Sequence, residues 1–167
     1  MEVIVVRHGV AMDRQEALAE GMADEDRPLT SKGQRRMKEA AKGLVAIAPE
    51  VVLVLSSPLR RAVETADIVR RAYDDVEYAE TPALRPEAEP QELAQFLAES
   101  ASAPTALVVG HEPHLSRWVS WCMTGEGRPV LSLRKGGACL LSFEDAPSAA
   151  KGRLAWLAPP SVLRRIE

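Results

Sequence analysis

Three apolar runs, each ending in charged or hydroxyl side chains, constrain what this chain can fold into. Val3-Ile4-Val5-Val6 runs into Arg7-His8-Gly9, Val51-Val52-Leu53-Val54-Leu55 into Ser56-Ser57-Pro58, and Thr105-Ala106-Leu107-Val108-Val109 into Gly110-His111. Short continuous apolar runs read as strands buried on both faces. Such strands need helices above and below them, and helical spacing appears between the runs. Met37, Ala40, Ala41, Leu44, Val45 and Ala48 precede the second run; Ala62, Val63, Ala66 and Val69 follow it; Leu115, Trp118, Val119 and Cys122 follow the third. Strands alternating with helices predict an α/β three-layer sandwich with a mostly parallel central sheet and helices on both faces. Ala138 to Phe143 and Arg153 to Leu157 resemble an antiparallel pair, which gives the sheet an antiparallel edge. The 167 residues show no linker and no internal repeat, so a single domain over residues 1–167 is expected.

Local signals fill in the rest. Ser31 to Gln34 fits a capping box at the start of the second-run helix, which Pro49 ends. Ser57 suits an N-cap, with Pro58 in the first turn of a helix reaching about Tyr73. Val76 to Glu80 reads as a short strand and Gln91 to Ala98 as a short helix. Pro113 opens a helix that Gly125 closes, and Pro159-Pro160-Ser161 leads into a short terminal one. Val10 to Pro28 is polar and acidic and reads as a solvated surface loop with a turn of helix around Gln15 to Glu20.

If the three runs are parallel, their polar ends share one side of the sheet. That is where open α/β sheets bind ligands. Two imidazoles, His8 and His111, then meet Arg7, Arg60, Arg61, Ser56, Ser57 and two helix N-termini. Arginines and helix N-termini favour a doubly charged oxyanion, and an imidazole among them can act as nucleophile. A phosphoryl group passing to a histidine nitrogen is the chemistry this collection suits, with His8 as the reactive residue. A metal site at His111-Glu112-Pro113-His114 lacks the spacing of a helical zinc motif; His114 reads as a first-turn surface residue. A serine hydrolase on Ser57 lacks a Gly-x-Ser-x-Gly elbow. Trp118, Trp121 and Trp156 suit core or groove wall.

The formal net charge of -3 offers no basic stripe for nucleic acid. Cys122 and Cys139 form no Cys-x-x-Cys pair and read as buried free thiols. The N-terminal apolar run is too short for a signal peptide and Glu2 sits where a positive segment would be. No stretch approaches a membrane span. A cytoplasmic protein with no membrane partner is therefore expected.

Arg7-His8-Gly9, Ser57-Pro58-Leu59-Arg60-Arg61-Ala62 with Thr65, and Gly110-His111 resemble the histidine phosphatase superfamily, whose fold is called phosphoglycerate mutase-like. Arg27-Pro28-Leu29-Thr30 with Gly33, the His111-Glu112-Pro113 turn and the lack of a long insertion are similar to its small SixA-type phosphohistidine phosphatases. The resemblance implies removal of a phosphoryl group, from phosphohistidine on a protein, through a phosphohistidine intermediate on His8. It implies that Arg7, Arg61 and His111 hold the phosphoryl oxygens, with His111 as charged clamp or proton donor, and that no metal or cofactor is needed. Arg61 is preferred to Arg60 because it fills the family's arginine position before the Ala; neighbours on a helix point about 100° apart, so only one faces the site squarely. Many members carry an acidic proton donor after the second helix. Here that segment is Ala83 to Pro90, with Glu87 and Glu89 as candidate acids. The expected partner is a phosphohistidine-bearing signalling protein, met by a monomer. A broad small-molecule phosphomonoester phosphatase and a non-catalytic phosphate-binding module are the alternatives.

Overall fold

The computed structural model describes residues 1–74, 76–100 and 103–166. Its strands are β1 (Glu2–Arg7), β2 (Leu53–Ser56), β3 (Glu77–Glu80), β4 (Thr105–Gly110), β5 (Ala138–Ser142) and β6 (Arg153–Ala158). Its helices are α1 (Arg14–Ala19), α2 (Ser31–Ile47), α3 (Arg60–Ala72), α4 (Pro90–Glu99), α5 (His114–Thr124) and α6 (Pro160–Leu163). The strands form one mixed sheet in the order β3-β2-β4-β1-β5-β6. β3, β2, β4 and β1 are parallel; β5 runs antiparallel to β1, and β6 antiparallel to β5.

Successive strand residues face opposite sides, which is why unbroken apolar runs need two covering layers. Val3 and Val5 enter a core with Val108, Leu93, Leu97, Leu115 and Trp118, under α4 and α5. Ile4 and Val6 enter a second core with Val109, Met37, Leu44, Ala66 and Val69, under α2 and α3. Every one of Val3, Ile4, Val5 and Val6 is fully buried. The expected three layers and antiparallel edge are present. Cys122 and Cys139 are buried free thiols, and burial pushes Cys139 up to about 12.

Several local expectations need correction. The cap of α2 is Thr30, not Ser31: its backbone is extended and its Oγ1 accepts from Gly33 N at 3.0 Å, while Ser31 is already helical. Gly33 is fixed by close approach, since a Cβ there would collide with the Val10 carbonyl. Ser57 does not cap α3, which begins three residues later with Leu59 at its cap. Val51 and Val52 lie before β2, and Val52 is exposed. Residues 10–28 are not a plain solvated loop. The turn of helix expected around Gln15 to Glu20 is there as α1, and with it a 3-10 turn Asp24–Asp26 and an isolated bridge Ala11 to Leu29. Among the described residues, no helix is long and apolar enough to cross a membrane.

His114 is the sharpest departure: it is fully buried rather than on the surface. Its helix packs on α4, and neither ring nitrogen has a hydrogen-bond partner among the described residues. Burial pushes His114 down to about 4, with Arg117 adding to the shift and Glu92 and Glu87 opposing it. The folded ring is therefore neutral, whereas an unfolded His takes a proton near about 6.5. Its contribution is complete above about 6.5 and declines as pH falls toward about 4, because the unfolded chain then binds the extra proton. His114→Leu should accordingly flatten the loss of stability across that window. Urea midpoints at pH 7 and pH 4.5 test this; an unchanged difference between the two would refute it.

Candidate active site

The backbone ladder continues one step past the strands, and this step places the site. In register, Arg7 of β1 faces Gly110 of β4, and Ser56 of β2 faces Val109. Beyond the strands, His8 N donates to Gly110 O at 3.1 Å and Ser57 N donates to Val109 O at 3.0 Å. His8, His111 and Ser57 thus leave three adjacent strands at the same level. The two imidazole centroids are 5.0 Å apart, and His111 Nε2 lies 2.8 Å from Ser57 Oγ. Ser57 is the partner of an active-site ring instead of a cap.

His8 has a defined tautomer. Its Nδ1 lies 2.7 Å from the Gly9 carbonyl. A carbonyl only accepts, so Nδ1 carries the proton and Nε2 keeps its lone pair. Burial pushes His8 down to about 3, opposed by the Gly9 bond and reinforced by Arg61, Arg7 and Lys135. His111 is lowered as well, first by burial and then by His8 and Arg61. Both rings are neutral at pH 7, the state a nitrogen nucleophile needs. Gly9 is required by close packing: a Cβ would meet Met37 Cγ at 2.6 Å. Its N–H donates to Thr65 Oγ1, and Thr65 in turn donates to the Arg61 carbonyl, which ties the Arg-His-Gly turn to α3.

The two arginines, Arg7 and Arg61, are held differently. Arg7 Nη1 donates to Leu133 O at 2.8 Å. Arg61 is buried; Nη1 donates to Asp24 O at 2.7 Å and Nη2 to Asp24 Oδ2 at 3.2 Å. Asp24 Oδ1 also takes Arg14 and Arg27, each at 3.0 Å. Partial burial pushes the Asp24 carboxyl up, but Arg61 and Arg27 bring it below its ordinary value. Arg60, by contrast, is half exposed and pairs with Glu64 at 2.8 Å.

Arg7, His8, Arg61 and His111 all line one open cavity of about 840 Å³. Arg7 Nε, Arg61 Nε and His111 Nδ1 are buried without a partner among the described residues. Orphaned donors cost stability unless something accepts from them. Two guanidiniums lining the cavity beside a neutral imidazole suit an oxyanion that can be attacked by His8 Nε2. Glu87 and Glu89 do not line the cavity. Glu87 is exposed and 3.7 Å from Arg85, while Glu89 joins the capping box of α4 and pairs with Arg117 at 3.2 Å. Among the described residues, no group of three or more His, Cys, Asp or Glu converges as a metal site would.

Other wall residues went unassigned in the sequence. Met12 to Glu16, Arg27, Glu112 and Lys135 all line the cavity. The Arg27-Pro28-Leu29-Thr30 motif was a signal for the first wall. Asp24 had none, because an acidic loop residue reveals its arginines only in three dimensions.

Comparison with known proteins agrees with this architecture. The model of the histidine phosphatase superfamily (branch 1) matches residues 3–89. An uncharacterized protein of Picosynechococcus sp. is 34% identical over 139 residues, which is 82% of this chain and 82% of that protein. The solved protein histidine phosphatase SixA complexed with tungstate superposes with a TM-score of 0.77 at 24% identity, covering 96% of this chain and 98% of that one. The alpha-ribazole phosphatase from Shigella flexneri superposes with a TM-score of 0.73 at 17% identity, covering 96% and 97%. At these identities the structures show a shared phosphoglycerate mutase-like α/β fold. The family match, which takes in Arg7, His8 and Arg61, goes further: this chain belongs to the histidine phosphatase superfamily.

Proposed function

We propose that this superfamily phosphatase removes the phosphoryl group from phosphohistidine on a protein, with His8 as nucleophile. His8 Nε2 attacks phosphorus in line as the bond to the substrate imidazole breaks. The phosphoryl oxygens rest on Arg7, Arg61 and His111, which line the cavity. The two positioned guanidiniums stabilise the charge that develops during transfer, and neutral His111 acts by hydrogen bonding. Water then hydrolyses the phosphoryl–His8 bond, releasing phosphate and restoring the neutral ring.

The observation that supports phosphohistidine is the state of the nearby carboxylates. An alkoxide leaving group needs a positioned acid. Glu87 and Glu89 sit in surface ion pairs instead. Glu112 does line the cavity, but its oxygens accept from Leu133 N, Ser116 N and Ser116 Oγ. A phosphorylated imidazole takes a proton on its other ring nitrogen near neutral pH and leaves as neutral imidazole. The cavity is also open enough to admit a side chain presented by a folded partner. A second reading, small phosphate esters, is favoured by a volume well beyond what a phosphoryl group fills and by the likeness to an alpha-ribazole phosphatase.

Three outcomes are expected. His8→Ala abolishes turnover and the acid-labile phosphate trapped on the wild type, with the fold retained by circular dichroism; substantial residual turnover would remove His8 from its role. Arg61→Ala loses on the order of 10²-fold or more in kcat/KM, while Arg60→Ala stays close to wild type; equal losses would mean that Arg60 shares the clamp. In substrate comparisons, a phosphohistidine protein exceeds phosphoserine and small sugar phosphates in kcat/KM, and Glu87→Gln and Glu89→Gln leave it unaltered. A small ester that equals the phosphoprotein, and fails with either Gln variant, would favour the second reading.

A further inference from the structure

We infer that Lys135 is a further phosphoryl-binding residue, its ammonium contacting the transferred group beside Arg7 and Arg61. This rests on reading the cavity as a phosphoryl-transfer site, and it adds a cation from a different part of the chain. Three observations carry it.

The first is placement. Lys135 lines the same cavity as His8, Arg7, Arg61 and His111. The second is rigidity. Gly136 N donates to both Arg7 O and His8 O, at 3.0 and 3.2 Å, and Gly137 O accepts from Arg7 N at 3.1 Å. Two residues upstream, Leu133 N donates to Glu112 Oε1 at 2.7 Å and Leu133 O accepts from Arg7 Nη1 at 2.8 Å. Gly136 takes a left-handed φ of 77°, which lets the turn fold back onto the nucleophile. The backbone carrying Lys135 is thus bonded on both sides to the Arg7-His8 unit, although the side chain itself is exposed.

The third observation is charge. Arg61, Arg27 and Arg14 share Asp24 as counterion. Lys135 has no carboxylate within ion-pair distance among the described residues. It is repelled by Arg7, Arg27 and Arg61 and drawn by the field of Asp13. A cation fixed among like charges is stabilised when an anion arrives between them, and a phosphoryl dianion supplies the charge. A second anionic group on the substrate could satisfy the same ammonium, and the test separates the two.

Inorganic phosphate is the probe, titrated calorimetrically into wild type, Lys135→Met and Lys135→Arg. Phosphate carries only the group that is transferred. Lys135→Met should weaken its binding about tenfold or more, and Lys135→Arg should recover most of the loss. The melting temperatures of the phosphate-free proteins should coincide. Lys135→Met should lower kcat/KM by a similar factor for a phosphohistidine protein and for a small ester. Wild-type phosphate affinity in Lys135→Met overturns the inference, including the case where only one substrate suffers, which assigns Lys135 to a second anion. Weak binding accompanied by a lowered melting temperature and no recovery in Lys135→Arg overturns it too, since the turn would then be misplaced. If phosphohistidine proves no better a substrate than esters, the phosphate titrations still decide the role of Lys135.

Discussion

The register of three parallel strands is the constraint on which the rest of the molecule depends. Cross-strand hydrogen bonds fix Arg7 opposite Gly110 and Ser56 opposite Val109, and the ladder continues into His8 and Ser57. A slip of one residue would exchange the two faces of a strand. It would send Ile4 and Val6 into the other core and move His8 away from His111. The apolar cores on the two faces therefore do more than stabilise. By admitting only one register, they bring two imidazoles to a centroid separation of 5.0 Å without any direct bond between them.

Electrostatics at the strand ends follow from that placement. The sheet buries both histidines, and burial keeps them neutral at pH 7. The cations, Arg7 at the end of β1 and Arg61 on α3, are then oriented by acceptors: Leu133 O for Arg7, and Asp24 for Arg61. Asp24 is exposed and acts through geometry, fixing the two terminal nitrogens of Arg61. Neutral rings and pinned guanidiniums are complementary: protonated histidines beside these arginines would add repulsion, and a loose arginine would lose its aim.

Much of this was legible because it rests on unbroken runs. Val3 to Val6 and Thr105 to Val109 have the same meaning wherever they occur, and the residues that end them, His8 and His111, are the residues at the site. Hydroxyl residues were less legible. Thr30, Ser31 and Ser57 are all competent caps, and the choice among them depends on whether Gly33 or His111 lies within reach. His114 was misread because a polar residue in a first turn looks solvated until α4 is packed over it. Lys135 and Asp24 were beyond sequence reasoning altogether. Each lies in an irregular segment whose position is set by contacts with β1 or α3, so their proximity to His8 and Arg61 has no periodic signature.

The carboxylates around the cavity bear on what kind of bond the site can break. Glu112 sits next to His111, near enough for its field to act on Arg7. Yet it serves the wall: one oxygen holds Leu133, whose carbonyl aims Arg7, and the other holds the first turn of α5 through Ser116. A carboxylate engaged by three donors would have to give up one of those bonds to serve a leaving group. Asp13 is similarly occupied, its Oδ1 accepting from Gln15 N at the cap of α1. Glu112, Asp13 and Asp24 are thus engaged in building the walls and aiming the cations, while Glu16 of α1 also lines the cavity. A leaving group that carries its own protonation site fits such a cavity with no further change, whereas an alkoxide protonated by Glu112, Asp13 or Asp24 would require that carboxylate to abandon a structural bond.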